Sequence, residues 1–171
     1  MEERTSTARV ALKYGVLAAV VAMVYSTILN VSGLGQNTWL TAISYIFMIV
    51  AIFLGIKEFR EKNQGFISYG EGLGLGSLLS AVLGVLSAAF TLFYIRFIDD
   101  SVLTQGLDRL REDMERQGKD DVQIEQALEV SQKLMSPGLM FVSVIIVTLI
   151  AGFVISLIAA AIMRREKPVF E

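Results

Sequence analysis

The sequence contains no cysteine and no histidine. Their absence excludes disulfides, thiol nucleophiles, imidazole acid–base catalysis, haem ligation and the zinc sites that these residues build. Basic side chains are also outnumbered, with 15 Lys and Arg against 17 Asp and Glu and a sequence pI near 5.3. This balance offers no basic surface for nucleic acid. We therefore expect no cofactor, no metal site and no nucleic-acid partner.

Charged side chains are missing from three long windows, residues 14–56, 72–95 and 134–163. A small, polar run at 32–38 divides the first window into two. The resulting spans, about 14–31, 39–56, 72–95 and 139–163, are each long enough to cross roughly 30 Å of hydrocarbon as a helix. We predict an all-α integral membrane four-helix bundle, a single membrane domain over residues 1–171. The first span has no convincing cleavage site, so we expect it to be retained.

Basic residues at the flanks of the spans predict the orientation. Loop 32–38 has none, whereas loop 96–138 has six against ten acidic residues. By the positive-inside rule, both termini are cytoplasmic and loop 96–138 is outside, and the lipid bilayer is the expected partner of the spans. The basic residues assigned to the cytoplasmic side are Arg4, Arg9, Lys13, Lys57, Arg60, Lys62, Arg164, Arg165 and Lys167.

Aromatic residues support the predicted boundaries of the spans. Trp39 and Tyr94 lie at outer ends, and Tyr14 and Tyr69 at inner ends. Amphipathic rings favour the level of the lipid headgroups. We therefore expect these four side chains to face the membrane–water interface.

Residues 99–136 are predicted to form an acidic helical hairpin between the third and fourth spans. Asp99–Ser101 and Asp120 are good helix-capping sequences, and Gly118 is a natural stop between the two helices. Their apolar stripes must be covered by each other, by the outer ends of the spans or by a second copy. The candidate docking residues on these stripes are Leu103, Leu107, Leu110, Met114, Ile124 and Leu128.

Small residues recur at every fourth position in the third and fourth spans. Such stripes let helix backbones approach closely in lipid, where the hydrophobic effect does not drive association. The first span carries a shorter stripe at Ala11, Gly15 and Ala19. A bundle contact is the preferred interpretation; a homodimer contact, or a pore lined by Ser80, Ser87 and Thr148, is the alternative. The candidate helix-packing residues are Gly72, Gly76, Ser80, Gly84, Ala88, Thr148, Gly152, Ser156 and Ala160.

The predicted spans carry no ionisable side chain. Ion-coupled transport usually keeps one there, because each costs about 2.5–3.5 kcal/mol or more. The serine–lysine and paired-aspartate arrangements of intramembrane proteases are absent as well. Asn30 is interpreted as a cap or interhelical hydrogen-bonding group, and Glu71 as a solvated carboxylate at a helix start. An enzyme is not expected.

Several segments in this order resemble one known family. They are Phe-Ile-Ser-Tyr-Gly-Glu at 66–71, the exit Phe-Tyr-Ile-Arg-Phe-Ile-Asp at 93–99, Ile-Glu-Gln-Ala at 124–127, Met-Ser-Pro-Gly at 135–138 and Gly-Phe-Val-Ile-Ser-Leu-Ile at 152–158. The chain resembles DUF4199, a domain of unknown function found mainly in Bacteroidota. In that family a Pro often follows the Asp at position 99, where this chain has Asp100. The resemblance implies a bacterial inner-membrane protein with a periplasmic hairpin, and it implies no catalytic residues.

These observations predict a non-enzymatic membrane protein that acts through contacts, either as a homo-oligomer or within a larger envelope complex. The small-residue stripes and the acidic hairpin support this function. The alternative is a small oligomeric transporter or channel subunit for passive or lipid-like substrates. A third hypothesis is an accessory subunit that positions an enzyme made from another chain.

Overall fold

A computed structural model describes residues 6–166, in which all the regular structure is helical apart from one isolated β-bridge. The first, second, third and sixth of its helices are long and apolar enough to cross a membrane. This confirms the prediction of an all-α chain with four helices of membrane-spanning length. Arg4 and Lys167, which entered the count of basic residues, lie outside the described residues. The six helices are α1 (Thr7–Val31), α2 (Thr38–Lys62), α3 (Tyr69–Phe97), α4 (Ser101–Arg116), α5 (Asp121–Leu134) and α6 (Pro137–Met163).

The long helices continue beyond the charge-free runs that predicted the spans. α2, for example, extends through charged residues to Lys62, whose ammonium lies 2.7 Å from the carboxylate of Glu58 one turn earlier. A charge-free run marks the apolar part of a helix, but a helix needs only its backbone hydrogen bonds to continue into water. The start of α3 has a capping box, in which Ser68 and Glu71 each accept a hydrogen bond from the other's backbone N–H.

α3 is the central helix, because it packs against α6, α1 and α2. The core contains fully buried Ile52, Ile56, Leu75 and Leu79. We call the end that carries loop 32–37 and the α4–α5 hairpin the hairpin end, and the opposite end, with loop 63–68, the terminal end. The outward faces of α1 and α6 expose rows of Val, Ile and Leu, a surface that suits a bilayer.

Burial is concentrated in the terminal half of the four long helices. All buried residues of α2 lie between Met48 and Phe59, and all those of α6 between Gly152 and Ala160. The first ten residues of α2 bury none of their side chains. The hairpin half is therefore more open than the terminal half.

The α4–α5 hairpin packs mainly on itself. Ile124 is its one buried residue, with 3% of its surface exposed. Gly118 takes a φ of +72°, and the N–H of Lys119 returns to the carbonyl of Met114 at 3.1 Å, so Gly118 ends α4 in a Schellman motif as predicted. At its base the hairpin is joined to loop 32–37 by a hydrogen bond from Gln36 Nε2 to the carbonyl of Val102 at 3.4 Å.

The predicted helix caps of the hairpin differ in outcome. Asp120 caps α5, with its carboxylate accepting from the N–H of Gln123 at 2.8 Å. Asp100 occupies the N-cap position of α4 but makes no side-chain cap hydrogen bond. Its neighbour Asp99 accepts from the N–H of Ser101 at 2.9 Å instead.

The aromatic residues predicted at the interface are not all exposed. Trp39 is 85% exposed at the hairpin end, whereas Tyr94 is 4% exposed, with its ring centroid 6.0 Å from that of Phe90. Tyr94 does lie near the hairpin end of its span, as predicted, but its ring is on the side of α3 that faces the protein, whereas Phe93 and Phe97 are exposed.

Candidate functional site

The small residues of α3 lie against those of α6 along one antiparallel contact, which we call the seam. Each step of four residues toward the C-terminus of α3 matches a step of four toward the N-terminus of α6. Ala88, further along the same face of α3, is fully buried. The facing pairs are Gly72 with Ala160, Gly76 with Ser156, Ser80 with Gly152, and Gly84 with Thr148.

At the middle of the seam the two helices repeat the same Gly-x-x-x-Ser pattern against each other. A Cβ on Gly76 would lie 2.7 Å from the Cβ of Ser156, and a Cβ on Gly152 would overlap the side chain of Ser80. Neither position has room for a methyl group. Each serine is fully buried and donates to the carbonyl of the glycine four residues earlier, Ser80 at 2.8 Å and Ser156 at 2.6 Å. The close approach therefore leaves no hydroxyl unpaired.

The stripe of the first span forms a second close contact, between α1 and α3. A Cβ on Gly15 would lie 2.9 Å from the carbonyl oxygen of Leu79 and from the Cβ of Val82. Ala11 and Ala19, one turn to either side, are fully buried. α3 is thus held between two helices at backbone distance.

The predicted docking residues of the hairpin do not form a free apolar face. Ile124 is buried and the other five are half-buried. The exposed apolar residues of α5 are instead Val122, Val130 and Leu134. Across residues 6–166, no group of three or more Asp or Glu side chains is placed to hold a metal ion.

Asn30 and Glu71 have local structural contacts. Asn30 donates from Nδ2 to the hydroxyl of Ser26 at 3.5 Å within α1. Glu71 is exposed and belongs to the capping box of α3.

A charged cluster at the terminal end escaped the sequence reasoning. Glu58 accepts hydrogen bonds from Lys13 Nζ at 2.6 Å, from the Tyr14 hydroxyl at 2.7 Å and from Lys62 Nζ at 2.7 Å. Its side chain is only 15% exposed. These charge-assisted bonds join α1 to α2 where the helices leave the apolar region. Lys13 and Tyr14 lie more than 40 positions from Glu58 in the chain, so no local pattern indicates that they meet.

We expect Glu58→Gln to lower the free energy of unfolding by about 1–3 kcal/mol, because two ammonium groups and a phenol lose their shared anionic partner. The midpoint of thermal unfolding in mild detergent measures the loss. Glu61→Gln is the matched control, because the exposed Glu61 carboxylate lies 4.0 Å from Lys57 Nζ and should matter by less than about 0.5 kcal/mol. Equal shifts for the two variants would contradict a structural role for the cluster.

The terminal end is also closed by a short backbone link. Ile67 and Arg165 exchange two N–H to carbonyl hydrogen bonds of 2.9 Å, forming an isolated antiparallel bridge. Arg60 reaches the carbonyl of Met163 at 3.4 Å nearby. The loop before α3 and the segment after α6 are therefore held together.

In the hairpin half, a cavity of about 430 Å³ lies between the long helices. Of the three residues proposed to line a pore, Ser87 and Thr148 border this cavity, while Ser80 is sealed in the seam. The polar residues of α2 that line this cavity were not singled out from the sequence, although their helical spacing within an otherwise apolar span could have indicated a shared face. The lining residues are Ala22, Thr38, Thr41, Ala42, Ser44, Tyr45, Met48, Leu83, Ser87 and Thr148.

Comparison with known proteins places this architecture in a family. The family model described as "Protein of unknown function (DUF4199)" matches residues 13–165, which cover most of the chain. The match includes all of α2 to α6 and α1 from Lys13 onward. No curated protein and no solved structure matches the chain. The chain therefore belongs to the DUF4199 family of proteins of unknown function.

Proposed function

We propose that the chain is a non-enzymatic protein of the bacterial inner membrane that holds its α4–α5 hairpin outside the membrane as a contact surface. The observation that carries the proposal is the exposure of Val122, Val130 and Leu134 on α5, which neither α4 nor the four long helices cover. A partner that covered them would bury apolar surface at roughly 25 cal/mol per Å². The acidic balance of residues 96–138 favours a partner with basic side chains around its contact site.

The proposal includes the orientation of the chain in the membrane. Basic residues surround the terminal end, and loop 32–38 at the hairpin end has none. The positive-inside rule then puts the termini in the cytoplasm and the hairpin in the periplasm. The resemblance to a family found mainly in Bacteroidota supports a bacterial membrane.

Deleting residues 101–135 should abolish recovery of protein partners while the four spans remain inserted, because the hairpin meets the rest of the chain only at its base. Tagged protein made at native levels is extracted in mild detergent, and the complex is sized and its components identified by mass spectrometry. An envelope protein as the partner supports an envelope complex, and a second copy of the chain supports self-association.

A pair of point variants makes the test independent of the deletion. Val130→Asp should reduce partner recovery by at least about tenfold, or 1.4 kcal/mol. Gln126→Asp, also exposed on α5, should leave recovery unchanged. Unchanged recovery with both Val130→Asp and the deletion would refute the contact function.

A transporter or channel subunit is the second candidate, and the cavity in the hairpin half favours it. The fully buried Ile52, Leu75 and Leu79 fill the terminal half, so a path through one copy would require these side chains to move. A solute flux screen with the protein in liposomes tests this candidate. Flux above that of empty liposomes would support it over the contact function.

A further inference from the structure

The cavity between α1, α2, α3 and α6 reaches deep into the apolar region. Thr38 begins α2 at the hairpin end and Met48 lies ten residues further on, a distance of about 15 Å along a helix. That is about half of the roughly 30 Å hydrocarbon thickness. Ser87 and Thr148 lie at similar depth, eight residues before Ile95 and nine after Leu139, the predicted ends of their spans. At this level a lipid offers only acyl chains.

Hydroxyls from three of the helices that border the cavity have no hydrogen-bond partner among residues 6–166. Elsewhere in the long helices Thr27, Ser80, Thr91 and Ser156 each donate to the carbonyl four residues earlier. Over residues 6–166, the hydroxyls of Ser44, Ser87 and Thr148 take part in no side-chain hydrogen bond, and the same holds for Thr38 and Tyr45 at this cavity. They come from three different helices and border one space.

These hydroxyls are accessible rather than sealed. Within the described part of the chain, no buried side-chain nitrogen or oxygen lacks a hydrogen-bond partner. The oxygens of Ser44, Ser87 and Thr148 are therefore not fully buried, and their residues border the cavity. An unpaired hydroxyl in an apolar medium costs several kcal/mol, so an occupant that itself forms hydrogen bonds is favoured over a lipid acyl chain.

We propose that the cavity is a binding site for a small, uncharged polyol. No Asp, Glu, Lys or Arg lines it, so nothing there would offset the cost of a charged ligand. Hydroxyl groups both donate and accept, which matches the hydroxyls of a polyol. The volume of about 430 Å³ lies within the range of small-molecule sites. The inference goes beyond the contact function and does not depend on the hairpin.

The site ends blindly toward the terminal end. Met48 and Leu83 form its deepest lining, and the fully buried Ile52 and Leu79 lie one turn beyond them. Access to the site is therefore through the hairpin half, where Thr41, Ala42 and Tyr45 of its lining are exposed.

The absence of native cysteine allows a direct test. Ala22→Cys and Ala42→Cys are made separately, since both positions border the cavity and leave its hydroxyls in place, and the proteins are placed in lipid nanodiscs and treated with 2-hydroxyethyl methanethiosulfonate. The control is Val85→Cys, at an exposed apolar position on α3 outside the cavity. Because thiols react as thiolates, which form in water, both cavity variants should be modified at least about tenfold faster than the control.

Occupancy is then measured by protection. Glycerol, erythritol and myo-inositol are added in turn, with sodium glycerate as the charged comparison. At least one polyol should slow modification of both cavity variants by about threefold or more, without slowing modification of Val85→Cys. Sodium glycerate should slow modification of none of the variants. Slow modification of both cavity variants would mean that lipid fills the cavity. Fast modification that no polyol slows would mean that the cavity holds only water. Either result overturns the proposal.

Discussion

Gly76→Leu is expected to destroy the folded state, with a loss of more than about 3 kcal/mol in the free energy of unfolding. The first carbon of any side chain at this position would lie 2.7 Å from the Cβ of Ser156 and 3.3 Å from a methyl of Ile52. Ser156 lies in the middle of the seam and Ile52 is fully buried on α2, so neither can move without separating α3 from its neighbours. Size-exclusion chromatography in mild detergent measures the fraction that remains a single, monodisperse species.

Gly84→Leu tests the same contact about two helical turns away, against Thr148 and the backbone of Ile145. Leu78→Ala is the exposed comparison and should matter less. The sharper control is Gly74→Ala against Gly76→Ala, because a Cβ on Gly74 meets nothing within 4 Å. Alanine at 74 should be neutral or stabilising by up to about 1 kcal/mol, since glycine is the poorer helix former. Equal tolerance of substitutions at positions 76, 84 and 78 would refute the packing role of the seam.

Ile124→Ala should unfold the hairpin while the four long helices stay folded. Loss of a buried isoleucine costs about 2–5 kcal/mol, and Ile124 is the only buried side chain of α4 and α5. Helices of 16 and 14 residues have little stability without a partner. Hydrogen exchange of amides in residues 101–134 should therefore become at least about thirtyfold faster, the equivalent of 2 kcal/mol.

The comparison for this variant is Val130→Ala, at an exposed position of the same helix, which should change stability by less than about 0.5 kcal/mol. Exchange in α3 should be the same in both variants and in the original protein. If Ile124→Ala accelerated exchange in α3 as strongly as in α5, the hairpin and the long helices would form one cooperative unit. The separation on which the contact function depends would then be wrong.

The sequence determines which helix faces are small, but not which faces meet. Long charge-free runs indicate spans because charged groups are costly in hydrocarbon. Spacing of four places Gly72, Gly76 and Gly84 on one side of α3. Their partners on α6 lie beyond an intervening hairpin, so the register of the seam depends on the tertiary packing of all four helices. The Glu58 cluster was missed for the same reason.

The cavity and the burial of Tyr94 depend on how the helices tilt and pack. Thr38, Thr41 and Tyr45 have helical spacing, yet the same spacing would suit a face turned to water, to lipid or to another helix. Only the open packing of the first part of α2 makes that face the wall of a cavity. Tyr94 is buried because α3 occupies the centre, which a count of residues from the span end cannot reveal.

The seam also has a consequence for the order of events during synthesis. Gly76 and Ser156 lie 80 residues apart in the chain. Ribosomes add about 5–20 residues per second, so Gly76 is made about 4–16 s before the serine that will cover it. In that interval α3 can already pack on α1 through Gly15. The face of α3 that carries Gly76 stays uncovered, because α6 has not yet been made. The length of the hairpin segment therefore sets how long this face stays open while the chain is being made.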